Sequence, residues 1–330
     1  MTSTGYGPLK AWEREHTLVF QRRGSLKPWI GHALRGAVGI HLRQQYCQQP
    51  KDTWADKWKY CKGCPYNHQC GYGILYEPDP PANVHVALGW QDAPRPLVMQ
   101  PYFPAPRVVH PRQRLPLRII TLGEMAERSY GGLLDSLRKA GRNGRGLGQA
   151  QIQFEVETED EGKEIAIRLP CPGEDNEEVL AKVTIVTPLI IKKEVQHGHK
   201  QVEYHPSFES LIRAGLRVIG PLYKFHLQAL PDELLWEVKQ AAMRVNTILS
   251  DYVVFRQSRH SSRYEPYMVQ GVLGWGLYGP IPAWLATWLE WAGWLHVGNY
   301  RIAGCGRWQT IIARRQSDRS WPMDLLLRHL

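Results

Sequence analysis

No apolar run in these 330 residues reaches the ~18 positions that a membrane-crossing helix needs, which excludes a helical bilayer span. The opening residues MTSTGYGPLKAWEREH lack the basic-then-apolar order of a secretory signal, so a soluble, cytoplasmic protein is expected. Acid is in short supply: 31 Asp and Glu stand against 41 Lys and Arg, a formal net charge of +10, and the partner favoured by that balance is anionic, nucleic acid or acidic lipid. What acid there is lies together, ten acidic residues against two basic ones between Glu155 and Glu178. No carboxylate cluster of the two-metal nuclease kind is visible. A dinucleotide fold needs its glycine motif between a first strand and a helix, and here both glycine-rich loops run into strands instead.

Cysteine is equally scarce, six in all, yet four of the six fall in Cys47-x13-Cys61-x2-Cys64-x5-Cys70. In a reducing cytoplasm such a cluster reads as metal ligands before disulfides. Four thiolates suffice for a closed tetrahedral zinc site, the first reading; a four-iron–four-sulfur (4Fe–4S) cluster suits the same set, and His68 could replace a cysteine. With four protein ligands and no open position, the site is expected to be a structural clip for a cysteine-rich insertion at about 47–76. Failing a metal, the insertion would pack through Trp54, Trp58 and Tyr72. Cys171 and Cys305 stand apart as plain small residues.

Along the chain, HTLVFQRRG reads as a strand ending in a basic turn at Arg22 and Arg23. LKPWIGHALRGAVGIHLRQQYC then takes helical spacing. Its apolar stripe holds Ile30, Ala33, Leu34, Ala37, Val38 and Leu42; the opposite stripe holds His32, Arg35, Gly36, Gly39 and Arg43. Two glycines on an exposed helix face each cost about 0.5–1 kcal/mol against Ala, which implies a close approach by another backbone, protein or RNA. A proline-rich region follows, with room only for short edge strands, then LPLRIITLG as a strand, EMAERSYGGLLDSLRKAG as a helix and GRNGRGLGQ leading into a strand. Beyond the acidic stretch the order recurs. The expectation is an α+β protein of two ferredoxin-like domains, the first at 1–157, an acidic linker at 158–180 and the second at 181–330.

GHALRGAVG, the CKGCPYNHQCGYGILYEP cluster, GRNGRGLGQ, VTPLIIKK, SRHSSRYEPYMVQGVLGWGLYGP and LHVGNYRIAGCGRW occur in the order found in the CRISPR-associated Cas6 endoribonucleases of the RAMP superfamily. The chain resembles that family over most of residues 16–313. The resemblance implies tandem ferredoxin-like (RRM-related) domains with RNA-binding glycine loops. It also implies cleavage of CRISPR repeat RNA without a metal, the ribose 2′-hydroxyl attacking its own phosphate to leave a 2′,3′-cyclic phosphate and a 5′-hydroxyl. The implied partners are repeat RNA or its crRNA product and other Cas proteins of an effector complex, with no membrane; DNA is disfavoured.

Such chemistry needs a group of near-neutral pKa for the 2′-hydroxyl proton and cations for the phosphate. His32, in the first turn of a helix beside Arg35, matches the place where related enzymes often carry a catalytic histidine, and free backbone N–H groups there suit a phosphate; its bland reading is a solvated or capping residue. In RQSRHSSRY, His260 is a second catalytic candidate, with Arg256, Arg259, Ser262 and Arg263 as phosphate contacts or as a basic strand edge that resists aggregation. Arg142, Arg145 and Gly146 in the first glycine loop, and Arg301, Gly304, Gly306 and Arg307 in the second, are candidates for RNA contact with Tyr300 and Trp308 stacking on bases; either loop taken alone also fits a plain turn. The tryptophan-rich helix IPAWLATWLEWAGW reads as core, or as a docking face for another subunit. The rival to a nuclease is a non-catalytic RAMP subunit that binds RNA without cutting it; a more remote rival is an iron–sulfur DNA-processing protein.

Overall fold

Two antiparallel sheets built from one repeated order of elements carry the chain. The computed structural model describes residues 7–49, 61, 63–80, 93–143, 147, 152–159, 161–196, 199–259, 267–316 and 320–327. The first unit comprises β1 (Leu9–Phe20), a two-residue β2 (Gly24–Ser25), α1 (Gly31–Tyr46), α2 (Gly71–Tyr76), β3 (Leu97–Pro101), a two-residue β4 (Val108–Val109) and β5 (Arg114–Leu122). It continues with α3 (Glu124–Arg128), α4 (Tyr130–Asn143), β6 (Phe154–Thr158) and β7 (Lys163–Ile167). The sheet runs β3-β5-β1-β6, with β7 also on β1, while β2 pairs with β4.

The second unit comprises β8 (Glu178–Leu189), a hairpin of β9 (Lys192–Gln196) and β10 (His199–Val202), α5 (Phe208–His226), α6 (Asp232–Met243), β11 (Thr247–Arg259), β12 (Tyr267–Pro282), α7 (Ala283–Trp294), β13 (Trp308–Arg314) and α8 (Met323–Leu327). Its sheet runs β11-β12-β8-β13. Each sheet thus takes its four main strands in the chain order strand–helix–strand–strand–helix–strand, with the first strand lying between the third and the fourth. The α+β expectation with antiparallel sheets holds. Among the described residues no helix is long and apolar enough to cross a membrane.

Local sequence explains the main helices. α5 starts where the Ser207 hydroxyl accepts from the Ser210 amide at 3.2 Å, with Glu209 in the first turn favoured by the helix dipole. α1 has no side-chain cap; tertiary contact sets its start instead, as shown below. Its buried stripe, Leu34, Ala37, Val38 and Leu42, packs with Leu133, Leu137 and Ala140 of α4 over Leu18, Phe20, Leu117 and Ile119 of the sheet.

The opposite face of the first sheet is buried as well. Leu9, Ala11, Val98, Ile120 and Leu122 join a core that includes Val183 and Leu189 of β8, Leu211 and Leu222 of α5, and Leu285, Trp288 and Leu289 of α7. The two units therefore share a core, which explains why β3 is buried at all five positions although it lies at a sheet edge in a proline-rich region.

The acidic stretch differs most from its expected role as a linker. Its linker part, 158–180, contains β7, paired with β1, and Ile167 and Leu169 within the shared core, while β6 is the strand expected after the first glycine loop. The indoles of α7 hold the next residues: Trp288 Nε1 donates to the Pro170 carbonyl at 3.0 Å and Trp291 Nε1 to that of Arg168 at 2.9 Å. Its charges sit on the outer side, where Glu164 pairs with Lys10 and Glu157 with Arg114, so composition reads as linker while alternate residues are core. The tryptophan helix is core, as expected, with Trp284 and Trp288 buried.

Candidate functional site

The N-terminus of α1 is docked onto the second unit. Trp29, just before the helix, exchanges two hydrogen bonds with the Gln257 side chain of β11: its amide donates to Oε1 at 3.0 Å, and Nε2 donates back to its carbonyl at 2.7 Å. Its indole donates to the Ala303 carbonyl at 3.0 Å, and a Cβ on Gly31 would collide with that same carbonyl oxygen. The helix therefore begins where only glycine lets it touch the turn at Arg301–Ala303.

His32 follows at once, its ring 4.2 Å from that of Trp29 and 4.4 Å, edge-on, from that of Tyr300. Among the described residues neither of its buried ring nitrogens has a hydrogen-bond partner. Burial, then the Arg259 and Arg35 guanidiniums, push its pKa down to about 2, so the imidazole is neutral throughout the physiological range and available as an acceptor. Tyr300 is held at φ 64°, in the left-handed region that non-glycine residues seldom occupy and that clusters at functional sites. Its hydroxyl lies 3.1 Å from that of Tyr267, which accepts from Arg259, and burial followed by the Tyr267 contact pushes its pKa up to about 12.

His32, Tyr300 and Arg259 border a cavity of about 760 Å³ between the two units. Six arginines line it, Arg35, Arg43, Arg95, Arg217, Arg259 and Arg301, and among the described residues Glu77 is the one carboxylate in its wall. Arg35 lies with its guanidinium over the Tyr76 ring, and among the described residues its buried Nε has no hydrogen-bond partner; burial lowers its pKa from the usual arginine value. The whole polar stripe of α1 faces this space. It can hold an anion against several guanidiniums next to a neutral imidazole.

Beside the cavity, a polar latch crosses the joint. Arg118 of β5 pairs with Glu13 of β1 and lies 3.4 Å from His296 Nε2 of the second unit, while Trp294 Nε1 donates to Glu13 at 3.1 Å. Arg307 donates to Gln100 at 3.0 Å.

Of the residues expected from sequence, His32, Arg35, Arg259 and Arg301 come together here. Arg22, Arg23, Arg142 and Arg256 are exposed and do not line the cavity. Arg145, Gly146, His260, Ser262 and Arg263 lie outside the described residues. The second glycine loop turns inward. The Arg301 guanidinium is 9% exposed and donates to the Leu295 and Arg95 carbonyls. Gly304 and Gly306, at φ 83° and 82°, back onto Gln100 and Val297. The close approach that these glycines permit is therefore to protein, and Arg307 spends its charge in the latch. Arg95 and Arg217 carried no sequence signal, since neither lies in a motif.

The cysteines gather between the end of α1 and the start of α2. Cys70 Sγ lies 3.6 Å from the Tyr46 carbonyl, next to Cys47, and Gln49 donates to Cys64 Sγ at 3.7 Å. Burial raises the Cys61 and Cys70 pKa values, with the neighbouring thiols adding to the rise. Among the described residues, however, no group of three or more His, Cys, Asp or Glu is placed to hold a metal ion, and residues 50–60 and 62, which join Cys47 to the others, lie outside the described set.

Fold and site together define a class: a tandem α+β chain of two antiparallel sheets with an arginine-lined cleft at their joint. Residues 9–180, just over half of the chain, match the AF_1859_N family model, an N-terminal domain, and residues 183–308 match that of the CRISPR-associated endoribonuclease Cas6. The chain belongs to the AF_1859_N family through its first half, and its second half carries the Cas6 sequence pattern. Among solved structures, "Cas6 (TTHB231) product complex" is similar at a TM-score of 0.53 and 12% identity, covering 92% of this chain and 100% of that one. "Partial Cas6-RT-Cas1--Cas2 complex" is similar at a TM-score of 0.52 and 11% identity, covering 98% of this chain and 50% of that one. At these identities the likeness is one of fold. A comparison with curated proteins gives no match.

Proposed function

We propose that the chain is an endoribonuclease that processes CRISPR precursor RNA by cutting within the repeat. The observation that carries this reading is His32, a neutral imidazole whose two ring nitrogens have no partner among the described residues, at the wall of a cleft with six arginines, in a chain whose second half matches the Cas6 model. In the reaction, a ring nitrogen of His32 takes the proton of the ribose 2′-hydroxyl. O2′ bonds to phosphorus as the bond from phosphorus to O5′ breaks, water protonates the departing O5′ to the 5′-hydroxyl, and the Arg35 and Arg259 guanidiniums hold the charge that grows on the phosphate oxygens. Those two arginines disfavour imidazolium by their charge, and a phosphate between them offsets that charge. The substrate thus makes His32 a stronger base when it arrives.

The partners under this reading are repeat RNA, retained or released as crRNA, and other Cas proteins. Purified protein incubated with repeat RNA in EDTA should cut it once, leaving a 2′,3′-cyclic phosphate. His32→Ala should lower the rate at least 100-fold, in line with general-base catalysis, while affinity for the RNA is kept. Cutting at full rate by His32→Ala overturns the assignment. Tight binding without cutting by the unaltered protein supports the RNA-binding subunit instead.

We further propose that Cys47, Cys61, Cys64 and Cys70 form a structural clip for zinc or, alternatively, a 4Fe–4S cluster. A cation among buried thiols would favour the thiolates that burial otherwise suppresses.

A further inference from the structure

One stretch of α1 has a composition that protein packing leaves unexplained. Gly36 stands inside a 16-residue helix, where glycine costs about 1 kcal/mol against alanine, yet among the described residues a Cβ built there meets nothing within 4 Å. Gly39 is different, since its Cβ would come 2.8 Å from Tyr76 Cε1; protein contact accounts for it. One turn beyond Gly36, Ile40 is 48% exposed in the wall of the same arginine-rich cavity. Gly36 and Ile40 thus form a flat, apolar strip on the cavity wall. It begins one helical turn, about 6 Å along the axis, from His32.

A phosphate has no reason to settle on that strip. Amides in the middle of a helix are already bonded within it, so the strip offers neither a donor nor a charge. The flat, apolar part of a nucleotide is its base, and a missing Cβ lets a ring approach the helix backbone closely. Donors for the attached phosphate lie alongside: Arg35, adjacent in sequence, and Arg259 face the same cavity. Past Ile40, the exposed amide of Gln44 reaches the cavity with a donor and an acceptor for a base edge.

We propose that Gly36 and Ile40 form a nucleobase subsite, on which one unpaired base flanking the scissile phosphate lies flat. The subsite rests on the endoribonuclease reading above and deepens it. A base stacked within a duplex has both faces covered by its neighbours, so this subsite requires RNA that is single-stranded where it is cut.

The test combines two perturbations, with cleavage and affinity measured on repeat RNA. Single abasic substitutions are scanned across the nucleotides on either side of the cut, in the unaltered protein, in Gly36→Leu, which covers the strip, and in Gly36→Ala. At least one abasic position should weaken binding to the unaltered protein by about 5- to 150-fold, the range of a lost base stack. In Gly36→Leu that penalty should shrink below twofold, while binding of intact RNA weakens about tenfold. Gly36→Ala should keep or raise the melting temperature, because alanine favours the helix, and still weaken binding; this separates loss of the strip from loss of the fold. RNA that is cut normally by the unaltered protein, but with no sensitive abasic position or with an undiminished penalty in Gly36→Leu, overturns the subsite alone. Failure to bind or cut repeat RNA overturns the subsite together with the endoribonuclease reading.

Discussion

Mild acid should destabilise this protein above the pH at which carboxylates titrate, because three histidines at or near the joint, His296 buried and His32 and His226 half-buried, are held without charge. Burial, Arg259 and Arg35 push His32 down to about 2; burial and Arg301 push His226 to about 4; burial, Arg118, Arg307 and Arg301 push His296 well below its ordinary value. In the unfolded chain each returns to ~6.5. Between the folded and unfolded values, the unfolded state binds protons that the folded state refuses. Stability is therefore whole above ~6.5 and declines as pH falls below it. At ~1.36 kcal/mol per pH unit, lowering pH from 7.5 to 5.0 costs ~2 kcal/mol for each histidine and ~6 kcal/mol for all three. That is a large part of the ~5–15 kcal/mol typical of a folded domain. Urea unfolding followed by tryptophan fluorescence at a series of pH values would measure the loss. His226→Gln keeps a donor for the Pro94 carbonyl but cannot titrate, and should remove about a third of the slope. The contribution of Glu13, whose pKa is lowered by its bonds to Arg118 and Trp294 despite burial, is lost only below ~4.5. Stability that stays flat between pH 7.5 and 5.0, or an unchanged slope in His226→Gln, would refute the reasoning.

Gly31→Ala should cost about 1–3 kcal/mol, the range of overpacking, because its methyl collides with the Ala303 carbonyl; denaturant titration gives the loss, and cleavage should fall with it because His32 is next in sequence. Raising salt should weaken RNA binding through screening and counterion release, yet raise the melting temperature of the protein alone by screening the arginines of the cavity; a parallel decline of both would count against repulsion at the joint. Metal analysis after purification with and without oxygen should find zinc or iron, and Cys61→Ser should lose it together with several degrees of melting temperature; absence of both metals from the unaltered protein removes the clip.

Local pattern made much of this molecule legible. The polar stripe of α1 could be read at helical spacing, and all its members line the cavity, because periodicity encodes which face of a helix is wet. His32 and Arg35 were readable for the same reason. The acidic segment was not: Ile167 and Leu169 lie among charges, and only contact with α7 tells them from a solvated linker. Nor was the direction of the second glycine loop. Arg301 and Arg307 look like free cations in sequence, but their partners, Arg95 and Leu295 for one and Gln100 for the other, are distant or carry no pattern. Arginine in a glycine-rich loop specifies close approach; which surface approaches is a tertiary fact.

That tertiary fact also accounts for where the chemistry sits. Taken singly, each sheet presents an apolar face and a few arginines, and the first unit alone supplies only Trp29 and Arg35 beside His32. Docking brings Trp29 onto Gln257 and Ala303, places Tyr300 at the edge of the imidazole and turns Arg259 toward it. Arginines gathered in this way repel one another: after burial, the charges of Arg95 and Arg259 lower the Arg35 pKa further. What opposes it is apolar: the core shared by the two sheets, in which each fully buried large side chain contributes about 1.5–3 kcal/mol, supplemented by the latch of Glu13 and Arg118. An inward-turned glycine loop is thus as necessary to the cleft as an outward-facing one would be, because its close contact with α1 and β3 lets the cationic walls stand face to face before any polyanion neutralises them.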